Sequence, residues 1–265
     1  MKHLLIASLI SLISHGAIAQ ENLLIDSTSW AELQDDFVDA AGLKDGADLF
    51  AVDAPYRAHD AATVPVTISQ SADAAPIDRA MVIIDENPAP MAASLVFGAA
   101  MAPLNFELRV RVNQYSNVRV IAQTAEGSFM NGRYVKASGG CSAPASRDPE
   151  VALASMGQMR LRLFEQPAQM SGQRREAQIM IRHPNYSGLQ RDQITQLFIG
   201  AHFIDELEVY QGDELLFSLE GGISISENPV FRFGYRDNGS AAFRVRASDT
   251  EGNVFEQTLP KATQS

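Results

Sequence analysis

Short segments in which apolar and polar residues alternate recur through the first half of the chain. Alternation covers residues 62–70, 104–112 and 118–122, residues 80–85 are almost entirely apolar, and a further segment spans 129–136. Alternation with a period of two places side chains on opposite faces of a strand, and short strands between Asn, Gly and Pro turns are typical of β-sandwiches. This first set of segments therefore predicts one sandwich domain.

A second set of alternating segments follows, and the stretch between the sets, residues 144–157, has no clear strand pattern. The connectors at residues 211–213 and 249–253 contain Gly, Asp and Asn, the residues typical of hairpin turns. The sequence thus predicts a second sandwich domain behind a linker. Its segments are residues 159–164, 177–181, 207–210, 215–219, 231–235 and 243–247.

The N-terminal part of the chain has a different pattern. Residues 1–19 combine Lys2, an apolar stretch and the small-residue ending Ala17-Ile18-Ala19, which predicts a cleaved signal peptide and a periplasmic protein. In residues 29–50, apolar side chains recur every three or four positions, which predicts a short helical segment. The net charge of −11 disfavours nucleic acid and anionic membranes as partners, because an acidic surface repels both.

Cys141 is the single cysteine of the chain, and it follows Gly139 and Gly140 in a stretch of small residues. A lone cysteine in an exported chain cannot form an internal disulfide, which points to a free reactive thiol or to intermolecular pairing. Small neighbours give the thiol little to pack against, so we expect it to be exposed. The two glycines would supply mobility on its N-terminal side.

Both sets of segments resemble proteins of bacterial thiosulfate oxidation. The first set, ending in Gly139-Gly140-Cys141, resembles SoxY, the sulfur carrier whose thiol lies on a Gly-Gly-Cys swinging arm. The second set resembles SoxZ, the partner of SoxY. Its matching residues, in order, are His183-Pro184, Arg191-Asp192, Ala201-His202-Phe203-Ile204, Gly221-Gly222-Ile223-Ser224 and Glu227-Asn228-Pro229.

A SoxY-like unit fused ahead of a SoxZ-like unit resembles the carriers associated with quinoprotein dehydrogenases. The resemblance implies an all-β fold of two immunoglobulin-like β-sandwich domains, with residues 20–137 SoxY-like, 138–157 a linker and 158–260 SoxZ-like. It implies a covalent carrier rather than an enzyme, with a small sulfur-containing or other intermediate attached at Cys141. The implied partners are a quinoprotein dehydrogenase and c-type cytochromes, and the two units would pair within the chain.

One departure from the SoxY pattern affects the expected function. The SoxY cysteine ends its chain between glycines, whereas here Ser142-Ala143-Pro144 follow and the chain continues. Tethering at both ends would shorten the reach of the arm, which leaves open whether thiosulfate itself is the cargo. The alternative function is a non-catalytic adaptor or assembly factor for a dehydrogenase, with the thiol incidental.

Three histidines follow the predicted signal peptide, and none has a spacing that predicts catalysis or metal binding. His183 and His202 could suggest a cysteine–histidine pair, but nothing in the sequence places either imidazole at Cys141, so we interpret both as structural. His59 is a lone loop residue. Without ligand spacing we predict no metal site, no cofactor and no catalytic residue.

Overall fold

The computed structural model describes residues 23–145, 149–164 and 174–261, and these form a mainly β structure with helices α1 (Thr28–Phe37) and α2 (Pro149–Ala154). The predicted signal peptide lies outside the described residues. In the described part of the chain, no helix is long and apolar enough to cross a membrane. The strands are β1 Leu43–Asp45, β2 Ala51–Asp53, β3 Val64–Ser69, β4 Arg79–Ile84, β5 Met91–Phe97, β6 Asn105–Val110, β7 Ser116–Thr124, β8 Gly127–Val135, β9 Met159–Phe164, β10 Arg174–Ile181, β11 Ile204–Gln211, β12 Glu214–Gly221, β13 Val230–Arg236, β14 Ala242–Asp249 and β15 Val254–Pro260.

The strands form two sheets, and both sheets run through the whole molecule. The larger has the order β1-β8-β7-β4-β5-β12-β11-β14-β15, and the smaller has the order β2-β3-β6-β13-β10-β9. We call residues 23–145 the N-terminal half and residues 149–261 the C-terminal half. Strand β5 pairs with β12 in the larger sheet, and β6 pairs with β13 in the smaller one, so the two halves are joined through backbone hydrogen bonds in both layers.

Aromatic side chains fill the core where the halves meet. Phe106 on β6 packs edge to face against Phe97 on β5 and against Phe217 on β12, with ring centroids 5.4 and 5.0 Å apart. Phe217 in turn contacts Phe231 and Phe233 on β13. Because these rings come from both halves and all are buried, burial of their apolar surface stabilises the joined molecule rather than either half alone.

Helix α1 lies against the larger sheet through Trp30. The Ser27 side chain caps the helix by accepting a hydrogen bond from the Trp30 backbone, and the indole ring covers the Arg119 guanidinium at 4.6 Å. Arg119 also forms a buried ion pair with Asp85, with 2.8 Å between Nε and Oδ1. The helix ends at Phe37 rather than near residue 50, because the following residues, Leu43–Asp45, pair with β8 in parallel.

The predicted all-β class, the immunoglobulin-like sandwich form and the short helix near the N-terminus are confirmed. Each predicted alternating segment coincides with a strand, and the connectors at residues 211–213 and 249–253 join antiparallel neighbours as expected. The pattern missed β2, β5 and β15, and β1 lies within the segment that was predicted to be helical. The domain limits at residues 137 and 158 stay a prediction.

Candidate functional site

The thiol of Cys141 is buried, which makes the predicted exposed thiol wrong. The cysteine lies in a turn after β8, within a segment that we call the Cys141 arm, residues 137–145. Its accessible surface is 0%. The small residues around it leave the thiol without local packing, but they also let the backbone of the arm enter the narrow space between the two halves of the molecule.

Backbone and side-chain hydrogen bonds hold the Cys141 arm to both halves. On the N-terminal side, the Gly139 and Gly140 amides donate to the carbonyl oxygens of Asn113 and Val112, at 2.8 and 3.0 Å. The arm therefore extends the hydrogen bonding of the segment that follows β6. Residues of the C-terminal half complete the docking.

Ser187 and Gln190 are these C-terminal residues, and both bind carbonyl groups of the arm. The Ser187 hydroxyl donates a short hydrogen bond to the Cys141 carbonyl oxygen, and the Gln190 side-chain amide donates to the Ala143 carbonyl oxygen at 2.8 Å. The Gln190 side-chain oxygen also accepts from the Ser187 backbone at 3.2 Å, which fixes the two side chains relative to each other. These contacts involve main-chain atoms of the arm, and neither of them uses the sulfur atom of Cys141.

The two predicted flanking glycines have different structural roles. Gly139 has a φ of +79°, a left-handed conformation that favours glycine. At Gly140, an added Cβ would collide with the Ala61 carbonyl oxygen and lie 2.7 Å from the Val112 carbonyl oxygen. Gly140 is therefore required by the close approach of two backbones in the docked arm, in addition to the mobility that the sequence suggested.

Arg111 is the charged residue of this site, and it lies directly after β6 with an exposure of 1%. Its guanidinium donates to the Gly140 carbonyl oxygen at 3.1 Å and to the Asn185 carbonyl oxygen at 3.2 Å. One side chain thus binds the arm and the C-terminal half together. Arg111 was not predicted from the sequence, because an arginine between two valines looks like an outward-facing strand residue.

Burial controls the ionisation of the thiol. It raises the pKa of Cys141 from 9.0 to about 11, and the opposing effect of the Arg111 charge is smaller. At neutral pH the docked thiol is protonated, and a thiol in this form is a poor nucleophile because the reactive species is the thiolate. The thiol also has no accessible surface, so its attack on another molecule requires the arm to move.

His183 and His202, which the spacing had kept apart, lie together around the buried carboxylate of Asp249. Their Nε2 atoms are 3.3 and 2.8 Å from Asp249 Oδ2, and the imidazole rings are 4.9 Å apart. We call these three residues the His–Asp cluster. Hydrogen bonds, chiefly from Asn253 and His202, outweigh the effect of burial and lower the pKa of Asp249 to about 2.

The hydrogen bonds of His183 assign its proton. The Asn185 amide donates to His183 Nδ1 at 3.1 Å, so Nδ1 is an acceptor and Nε2 carries the proton that points at Asp249. A metal ion would need that Nε2 lone pair, so the mutual proximity of the three side chains is that of a hydrogen-bonded structural cluster. Within the described residues, neither imidazole hydrogen-bonds to Cys141, and His59 lies exposed on a loop.

Two family models match the chain in succession. "Sulfur oxidation protein SoxY" matches residues 34–141, and "Sulphur oxidation protein SoxZ" matches residues 162–260. The chain is a SoxY domain fused to a SoxZ domain. Cys141 is the last residue of the SoxY match, whereas Asn185, Ser187 and Gln190 belong to the SoxZ match. The docked thiol therefore lies at the interface between the SoxY and SoxZ domains, which pair within one chain.

The chain is also similar to solved structures. The SoxY domain is similar to a chain titled "Structure of the sulfur carrier protein SoxY from Chlorobium limicola f thiosulfatophilum", with 26% identity and a TM-score of 0.34. The similarity covers 40% of this chain and 96% of that one. No curated protein sequence matches the chain.

Proposed function

We propose that this protein is a periplasmic carrier that holds a small sulfur-containing intermediate covalently on Cys141 and delivers it to redox enzymes. The observation that carries the proposal is the position of the single cysteine, directly after Gly139-Gly140 at the end of the SoxY match. Both matching families are described as sulfur oxidation proteins, which supports a cargo that contains sulfur. The carrier itself performs no catalytic step.

The docked arm gives this carrier two states. In the docked state the thiol is buried and protonated, so it is protected from stray oxidants. Undocking breaks the five hydrogen bonds between the Cys141 arm and the rest of the protein and returns the thiol to water, where its pKa falls towards the ordinary value. The thiolate can then attack a sulfur atom that bears a leaving group. A new S–S bond forms, and the leaving group departs with the electron pair of the broken bond.

The enzymes served would be those of a quinoprotein dehydrogenase system, together with c-type cytochromes. The support for this part is the fused order of the two domains, which resembles the carriers associated with such dehydrogenases. Because the arm is tethered at both ends, we place the exchange of cargo close to the SoxY–SoxZ interface, with the partner enzyme approaching the carrier.

The burial of the thiol favours a second candidate function. A thiol with no accessible surface and a pKa of about 11 is also what an incidental, structural cysteine would have. In that case the protein would be a non-catalytic adaptor that binds a dehydrogenase through its sandwich surfaces. The two functions differ in whether Cys141 is ever modified.

Intact-mass measurement of the protein purified from its natural host tests the proposal. A carrier begins at Gln20 after signal cleavage and shows a mass increment on Cys141 that a reductant removes. In parallel, Cys141→Ser replaces the native copy, with Ser142→Ala as the control at the exposed neighbouring position. Loss of growth on the substrate of the dehydrogenase in the first variant alone supports the carrier. An unmodified Cys141 thiol together with normal growth of the Cys141→Ser strain would support the adaptor function instead.

A further inference from the structure

Arg111 carries a positive charge into the interior beside the cysteine. The side chain is 1% exposed, and two of its nitrogen atoms donate to neutral carbonyl groups, those of Gly140 and Asn185. Its Nε has no hydrogen-bond partner among the described residues. A buried charge is costly unless it is paired and fully hydrogen-bonded, so this position favours an additional negative group.

The surroundings of Arg111 identify where that negative group would come from. The groups that raise the pKa of the guanidinium when they are ionised are, in decreasing order of effect, Cys141, Glu227 and Asp60. Cys141 thus has the largest effect of the three, and Arg111 is in turn the charged group that acts on Cys141. Because burial keeps the unmodified thiol protonated, an empty carrier leaves Arg111 without the first of these counter-charges.

We propose that Arg111 is the residue that recognises the charge of the cargo, pairing its guanidinium with an anionic sulfur group attached to Cys141 in the docked arm. This inference rests on the proposed function and adds the residue that would hold the cargo in the docked arm. An anionic adduct would pair with the guanidinium, whereas a neutral adduct of similar size would displace the residues packed around the sulfur atom without forming an ion pair. The loaded arm would then dock more tightly when its cargo is anionic, because a ligand shifts a conformational equilibrium by its differential affinity for the two states.

Two synthetic adducts on the purified full chain separate charge from size. Tetrathionate converts the Cys141 thiolate into Cys–S–S–SO₃⁻: the thiolate attacks a central sulfur, and thiosulfate leaves with the electron pair. Methyl methanethiosulfonate gives the neutral Cys–S–S–CH₃, with methanesulfinate as the leaving group. Intact mass confirms complete loading in both cases. The rate of adduct release by a phosphine reductant, relative to the same adduct on the urea-unfolded chain, then measures how strongly each adduct is protected by docking.

In the native protein, we expect the anionic adduct to be protected at least about tenfold more than the neutral one, which corresponds to about 1.4 kcal/mol. Arg111→Gln should abolish the difference between the two adducts. Arg111→Lys should retain part of it. Arg109→Gln is the matched control, because Arg109 is half exposed and lies on the same segment. Comparing two adducts within one variant removes any general loss of stability from the result.

Equal protection of the two adducts in the unmutated protein would overturn the assignment of Arg111, and it requires no variant to fold. A difference that persists in Arg111→Gln would overturn it as well. Neither outcome affects the proposed carrier function, which depends on whether Cys141 is modified in the natural host. Conversely, an unmodified Cys141 in the host would remove the carrier function even if the synthetic adducts behave as expected.

Discussion

The Ser187 hydroxyl of the SoxZ domain donates a hydrogen bond to the carbonyl oxygen of Cys141, the final residue of the SoxY match. The residue that would carry the cargo is thus held by the partner domain through its main chain. The side-chain sulfur is buried by this arrangement but takes no part in it. The docked state of the arm is therefore compatible with a modified cysteine, provided that the adduct fits beside Arg111.

The docked arm predicts slow modification of the thiol. We expect Cys141 in the native protein to react with iodoacetamide at pH 8 at least about 100-fold more slowly than in the urea-unfolded chain, because a pKa of about 11 instead of 9.0 reduces the thiolate fraction by about that factor. Ser187→Ala should raise the native rate, since it removes a hydrogen bond to the arm. Mass spectrometry of quenched samples gives both rates. Equal rates in native and unfolded protein would contradict a docked arm.

Gly140→Ala tests the close approach of the arm to the SoxY domain. A methyl group at this position collides with the carbonyl oxygen of Ala61, so the arm should be displaced and the thiol should react faster than in the native chain. We expect a loss of about 1–3 kcal/mol in the free energy of unfolding, as for other overpacked sites. Gly200→Ala is the control, because nothing lies within 4 Å of the position that its added methyl group would occupy. Unchanged thiol reactivity in Gly140→Ala would mean that the arm tolerates the methyl group.

The aromatic core at the interface predicts that the two domains unfold together. Phe217→Ala should lower the free energy of unfolding by about 3–5 kcal/mol and shift a single cooperative transition, because this buried ring contacts Phe106 of the SoxY domain. Ile194→Ala, at a side chain that is 91% exposed, should change it by no more than about 0.5 kcal/mol. Urea denaturation followed by tryptophan fluorescence and circular dichroism gives the values. Two separate transitions would contradict the shared core.

The His–Asp cluster predicts a loss of stability in mild acid. Burial lowers the pKa of His183 in the folded protein below its ordinary value of 6.5, so the unfolded chain binds a proton first as the pH falls. The stability that neutral His183 contributes above pH 6.5 is therefore lost progressively below it, by at most about 1.4 kcal/mol per pH unit. His183→Gln should flatten this dependence between pH 7 and 5, and His59→Gln should not. An unchanged slope in His183→Gln would refute the assignment.

Alternation in the sequence predicted most of the sandwich, because each such strand has one buried and one exposed face. Strand β5 escaped notice because Ala and Ser occupy several of its positions, and small residues give weak contrast between faces. Strand β15 was missed because its apolar residues are widely spaced. The helix was predicted too long because the apolar spacing continues past Phe37, where a parallel strand pairing takes over.

The site was only partly predictable. The residues of its motif are contiguous in the sequence, whereas the residues that surround the motif in the fold are distant from it in the sequence. Cys141 and its glycines are adjacent in sequence, so the motif could be found directly. The burial of the thiol depends on Arg111, Ser187 and Gln190, which lie 30 to 49 residues away and meet only after both sheets have formed. His183 and Asp249 are likewise 66 residues apart. No spacing rule connects such residues.

The pairing of β5 with β12 and of β6 with β13 also fixes the stoichiometry of the carrier. If the two domains were separate chains, the fraction of molecules with a complete docking position for the arm would depend on the concentration of the chains and on their affinity for each other. Fusion makes the association of the two domains intramolecular, with a high effective concentration, so dilution cannot separate the thiol from the SoxZ residues that hold the arm. Each cysteine therefore keeps a single, permanent partner, and carriers of this kind cannot exchange SoxZ domains between rounds of loading.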